Sequence, residues 1–139
     1  MIGIAKKVEE AVISVLESQT GMESVEVVRG NAAATHSVFP RIVVTCIPGK
    51  ALYPNMPTPV SAELEILVQT EAKTDINGES CEEYAESVFS ALQVPVGVPA
   101  VNTVASGIKL HKLEFDDPEE IKEGSGINEM ELNAELYVS

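Results

Sequence analysis

The sequence predicts an α+β fold: a mostly antiparallel sheet with two helices packed on one face. Three observations predict it. Two stretches carry apolar residues at helical spacing, five carry strand-like runs or alternation, and their order, α-β-β-β-α-β-β, lacks the regular βαβ alternation of a parallel sheet. The 139 residues are the usual size of a single domain, expected over 1–139, and the composition of 45% hydrophobic and 22% charged residues suits a packed core. Trp is absent and aromatics make up 4%, so Val, Ile, Leu and Ala must fill that core.

Ile4, Val8, Ala11, Val12, Val15 and Leu16 recur at three- and four-residue steps and predict the first helix, with Gly21 beyond its end. Residues 23–29 (ESVEVVR) read as a short strand, and 41–47 (RIVVTCI) as a central one, apolar on both sides. Residues 48–59 hold Pro48, Pro54, Pro57 and Pro59, and are expected to form a stiff loop outside any ladder. Over 60–70, Val60, Ala62, Leu64, Ile66 and Val68 alternate with Ser61, Glu63, Glu65, Leu67 and Gln69, the pattern of a strand with one face on the core.

A second helix is expected over 78–92, with Cys81, Tyr84, Ala85, Val88, Phe89 and Leu92 on its stripe and Asn77 or Ser80 as its cap. Pro95 and Pro99 interrupt 93–106, which reads as a loop. Residues 107–115 and 129–138 read as strands around an acidic loop at 116–128, with Gly124-Ser125-Gly126 as a turn. The expected core comprises Val8, Val12, Val15, Leu64, Ile66, Val88, Phe89, Leu132 and Leu136. The long connections at 30–40, 47–59, 93–106 and 116–128 are where function is expected.

The net charge of −13 disfavours general binding to nucleic acid or to anionic membrane surfaces. It is uneven: from Glu114 onward there are nine acids and one base, Lys122. The start of the chain has no apolar run of signal-peptide length, and no membrane span is expected. Cys46 and Cys81 read as small buried hydrophobes in a reducing compartment.

Nothing in the pattern of residues points to catalysis. GxxxxGK[ST], GxGxxG and GxSxG do not occur, and His36, His111, Cys46 and Cys81 lack metal-ligand spacing. No catalytic residue, cofactor or metal ligand is therefore expected. Glu63 and Glu65 share a strand face about 7 Å apart, which suits a solvated or interface surface better than a cation site. Asp75-Ile76-Asn77-Gly78-Glu79 lacks the spaced acids of a calcium loop and reads as helix capping.

Pro40 to Cys46, then AELEILVQTEAK at 62–73 and GESCEEYAESVFSAL at 78–92, set in this element order, resemble the tail terminator and tail-completion proteins of long-tailed bacteriophages. The likeness covers most of the chain in pattern and includes no invariant motif. It implies a structural virion protein: one α+β domain forming a homo-oligomeric ring, often hexameric, that caps the tail tube and joins it to the head. No catalytic residues carry over. Its partners would be copies of itself and other tail-tube and connector proteins, with DNA passing through and no membrane involved. It would occupy the host cytoplasm during assembly and then the tail or neck of the virion.

The proline-rich 48–59 and the acidic C-terminal quarter depart from that pattern and leave a neighbouring connector or tail role open. On this reading Leu52, Tyr53 and Met56 supply interface anchors, while Glu119, Glu120 and Glu123 line the opening. A protein-binding adaptor using the proline-rich loop, and a small enzyme with a converged carboxylate or His site, are the alternatives.

Overall fold

The computed structural model describes residues 3–30, 38–56 and 59–139. Its elements are α1 (Ile4–Glu17), β1 (Glu26–Arg29), β2 (Arg41–Ala51), β3 (Val60–Glu71), α2 (Glu79–Leu92), α3 (Gly97–Val104), β4 (Leu110–Phe115), β5 (Lys122–Gly124) and β6 (Ile127–Val138). The sheet runs β1-β2-β3-β6-β4, with β5 also on β6. Every pairing is antiparallel except β1 with β2. The α+β class and the largely antiparallel sheet expected from the sequence are present, and β1 makes the sheet mixed.

Alternation decides which face is covered. Ile42, Val44 and Cys46 of β2, Ala62, Leu64, Ile66 and Val68 of β3, and Leu132, Ala134, Leu136 and Val138 of β6 point to one side and are buried. All three helices pack on that side: α1 against β1 and β2, α2 against β3 and β6, and α3 against β4 and α1. The predicted stripe of α1 is buried as expected. Of the expected core, Val8, Val12, Val15, Leu64, Ile66, Val88, Leu132 and Leu136 are buried, but Phe89 is only half-buried. Its ring meets Phe115 at 5.6 Å, at the edge of the core where α2 overhangs β6.

Three further expectations need correction. First, β2 does not stop at Pro48: Pro48 pairs with Ala62, and Ala51 with Val60, across a bulge. A proline is tolerated there because β1 ends at Arg29, opposite Val44. The Cys46 N–H points away from β3 and donates to Glu9 Oε2 at 2.8 Å. Two residues on, the missing N–H of Pro48 therefore falls on an unpaired edge and costs no ladder bond.

Second, the segment read as a loop at 93–106 contains α3. Pro99 lies in the first turn of α3, where no intrahelical N–H donor is needed. Asn102 then latches α3 to β4: its Nδ2 donates to Leu110 O at 3.0 Å, and its Oδ1 accepts from Leu110 N–H at 2.8 Å. Gly97 permits the sharp bend from α2, because a Cβ there would lie 2.0 Å from Leu92 O. Third, the acidic 116–128 segment includes β5. It turns into β6 through Ser125 and Gly126, at φ 56° and 78°, the left-handed pair of a tight hairpin.

The start of α2 is held by a residue other than the two expected caps. Asp75 is buried and accepts hydrogen bonds from the Thr70 hydroxyl at 2.7 Å and from the Ser80 and Cys81 amides, each at 3.1 Å. Asn128 Nδ2 donates to the Asp75 carbonyl at 2.6 Å, tying the same turn to β6. No single helix among the described residues is long and apolar enough to cross a membrane.

Candidate functional site

Two surfaces stand out from the fold: a projecting arm and an acidic sheet face that no described helix covers. The arm is the far end of the β2–β3 hairpin. Ile47 to Ala51 continue β2 alongside β3, across the bulge, and are all exposed. Leu52 N–H donates to Pro59 O at 2.9 Å and closes the tip. Of the three predicted anchors, Tyr53 and Met56 are 56% and 54% exposed at this tip, and Leu52 is half-buried behind them. Pro57, also assigned to this loop, and His36 lie outside the described residues.

The second surface is the side of the sheet opposite the helices. Among the described residues no helix crosses it. The register sets acids against one another: Glu63 lies opposite Glu135, and Glu135 lies opposite Glu114. Glu65, Glu129 and Glu131 fill neighbouring positions on the same face. Like charges directly opposite on adjacent strands destabilise a sheet. Lys112 relieves part of this, with Nζ 2.8 Å from Glu135 and 3.7 Å from Glu114. That hydrogen bond holds the Glu135 carboxyl below its ordinary pKa.

Glu65 lacks such relief. Partial burial, then repulsion from Glu131, Glu129 and Glu63, raises its pKa. It lines a shallow hollow of about 250 Å³ with Ile47, Glu63, Asp116, Asn133, Ala134 and Glu135. Those neighbours are further carboxylates, an amide and apolar groups, with no nucleophile and no histidine beside the raised Glu65 carboxyl. At the end of the face, Arg41 Nε donates to Gln69 Oε1 at 2.6 Å, and Gln69 Nε2 donates to Glu129 Oε1 at 2.7 Å.

The predicted opening acids lie apart from most of this face. Glu119, Glu120 and Glu123 are exposed along the segment beside β6, with Glu119 3.3 Å from Lys122. Glu123 is opposite Asn128, whose side chain turns to the helix side, whereas Lys122 is opposite Glu129 on the open side. No single strand reveals the wider acidic face, because each shows only alternate acids. Only the adjacency of β3, β6 and β4 adds them together.

The remaining candidates resolve simply. Cys46 and Cys81 are both buried and free. Burial, aided by Glu9 for Cys46 and Asp75 for Cys81, pushes their pKa values up to about 12 and about 11, leaving the thiols unreactive. His111 Nε2 hydrogen-bonds the Ser139 hydroxyl at 2.8 Å in an exposed position. Among the described residues no group of His, Cys, Asp and Glu is placed to hold a metal ion. Arg29 and Glu9, 2.7 Å apart, form a partly buried pair that anchors α1 to β1.

No protein-family model and no curated protein sequence matches this chain. Among the solved structures, 23 chains match it. One is similar over 99% of this chain and 97% of its own, at 11% identity and a TM-score of 0.58, and its designation states no activity. A likeness at that identity shows a shared fold alone.

Proposed function

We propose that this chain is a structural assembly subunit that joins copies of itself into a ring through which DNA passes, as a phage tail terminator or a neighbouring head–tail connector. The observation that carries the proposal is the β2–β3 arm. A paired but uncovered strand extension with Tyr53 and Met56 at its tip has no role in its own subunit's core. Exposed apolar side chains on a proline-stiffened tip suit docking, because little conformational freedom is lost when such a tip is held.

The acidic face supports the second half of the reading. A wall that DNA slides past must repel phosphate, and the glutamates across β3, β6 and β4 do so at a cost in sheet stability that solubility alone does not require. The proposed lumen thus includes Glu63, Glu65, Glu131 and Glu135, whereas Glu119, Glu120 and Glu123 lie apart from most of that face. The reading includes no catalytic step and no cofactor, and places the protein in the host cytoplasm during assembly and then in the virion. The arm equally suits an adaptor that grips another protein.

Mass measurement in solution over a range of concentrations, with imaging of the particles, separates the two. Discrete rings are expected, and a monomer at every concentration would sink the proposal. Replacing Glu63, Glu131 and Glu135 with Lys is expected to leave the ring intact but make it retain DNA at low salt. Unchanged DNA release would remove the lumen assignment.

A further inference from the structure

The acceptor for the arm can be located on the same chain. The β4 ladder covers residues 134–138 of β6, and β5 covers 127–129. Between them, one bond from Asp116 N–H to Asn133 O serves the outer edge of β6. At this break in the sheet edge lies an apolar hollow of about 240 Å³, floored by Met130 and Leu132 and walled by Ala85, Phe89 and Pro118. It explains why Phe89 is only half-buried: α2 overhangs a place where the sheet has no strand beneath it.

Resting on the ring reading above, we propose that this hollow receives the Tyr53–Met56 tip of the β2–β3 arm from a second copy of the chain. Charge selects this occupant. The described part of the arm, 47–56 and 59–61, carries one base, Lys50, and no acid, in a chain with 22 acids. The rim of the hollow is acidic: Glu86 lines it, and Asp117 and Glu119 flank Pro118 on the exposed segment above it. Most of the rest of the surface would be repelled by that rim, whereas the arm is attracted to it.

Geometry makes the contact intermolecular. Met130 and Leu132 lie opposite Val68 and Ile66, while the arm leaves the sheet beyond Val60. Six to eight residues of extended strand separate the two places by roughly 20–26 Å, before the tip adds its own length in the opposite direction. A tip cannot fold back into its own hollow. Tip and hollow are different patches, so each subunit offers one of each. Such a head-to-tail contact closes into a ring when the rotation permits, or continues as a filament when it does not.

The test uses the full chain and two kinds of variant at exposed positions, where folding is preserved. Tyr53→Ser with Met56→Ser blunts the tip; Ser90→Tyr, at the lip of the hollow, fills it. Each is expected to weaken self-association at least roughly tenfold and give folded monomers by circular dichroism and native mass spectrometry. Mixed in equal amounts, the two variants retain one good tip and one good hollow between them, so they should form a discrete heterodimer that does not grow. A blunted-tip or filled-hollow variant that still forms rings like the parent overturns the proposal, as does an equal mixture of folded variants that stays monomeric. In those cases the parent's own ring leaves the broader assembly reading standing. A parent that is monomeric throughout overturns both.

Discussion

Replacing Asp75 with Ala tests whether one buried carboxylate fixes the start of α2. The carboxylate accepts three hydrogen bonds, from Thr70, Ser80 and Cys81. Losing a helix cap costs about 1 kcal/mol. The Thr70 hydroxyl and the Cys81 amide are buried, and stranding them adds about 1–3 kcal/mol, while the more accessible Ser80 amide can turn to water. The expected loss is about 2–4 kcal/mol, or a fall in Tm of roughly 10 °C for a chain of this length.

The loss should depend on pH with a definite sign. Burial acts to raise the Asp75 pKa, but the hydrogen bonds from Thr70, Ser80, Cys81 and Asn128 outweigh it and hold it below its ordinary value of 3.8. A depressed folded-state pKa stabilises the fold above the unfolded pKa, and that contribution disappears as pH falls through the folded one. The gap in unfolding free energy between parent and Asp75→Ala should therefore be constant at neutral pH and shrink below about pH 4. Denaturant melts across that range, with exposed Ile76→Ala as the control, measure it. A gap under about 0.5 kcal/mol at pH 7, or one that does not shrink in acid, refutes the reasoning.

Glu65→Gln is expected to raise stability by about 0.3–1 kcal/mol at neutral pH and low salt, because it removes a carboxylate held among like charges. The folded-state pKa of Glu65 is raised, so its destabilising effect should fade as pH drops through that pKa and the group takes up a proton. A destabilised variant at pH 7 would reject this account. Phe89→Ala should cost about 2 kcal/mol, less than a fully buried phenylalanine, because the ring is half-buried against Phe115. Thermal melts check it, and a cost near zero would remove Phe89 from the packing of α2. Cys46 and Cys81 should resist a thiol reagent at pH 8 in the native protein and react fully on unfolding. Rapid native labelling would show that the β2 or α2 packing opens.

Much of the fold was legible because local periodicity is a property of neighbouring residues. The stripe from Ile4 to Leu16 and the alternation in Val60–Glu71 and Ile127–Val138 each fix an element and its buried face without reference to the rest of the chain. Charge balance, the lack of nucleotide-loop motifs and the scattered Cys and His were likewise visible. The apolar tip could be read from Leu52, Tyr53 and Met56 among prolines, since nothing in a solvated loop favours such residues. Where local rules misled, the neighbour decided. Pro48 and Pro99 break structure in isolation, yet one lies on an edge that β1 never reaches and the other in a first helical turn that needs no N–H.

What the sequence determined by itself is the two long helices and the five main strands, their inward faces and the strongly acidic balance. Only the tertiary structure decided strand order, and from it every surface of interest. Placing β6 between β3 and β4 brings Glu63, Glu135 and Glu114 into one row from positions far apart in the chain. The gap between β4 and β5 opens the hollow beside Phe89, and the end of β1 leaves Cys46 to Glu9. The physical reason is that side-chain direction follows from a two- or 3.6-residue period, whereas adjacency between strands follows from how the whole chain minimises its exposed apolar surface.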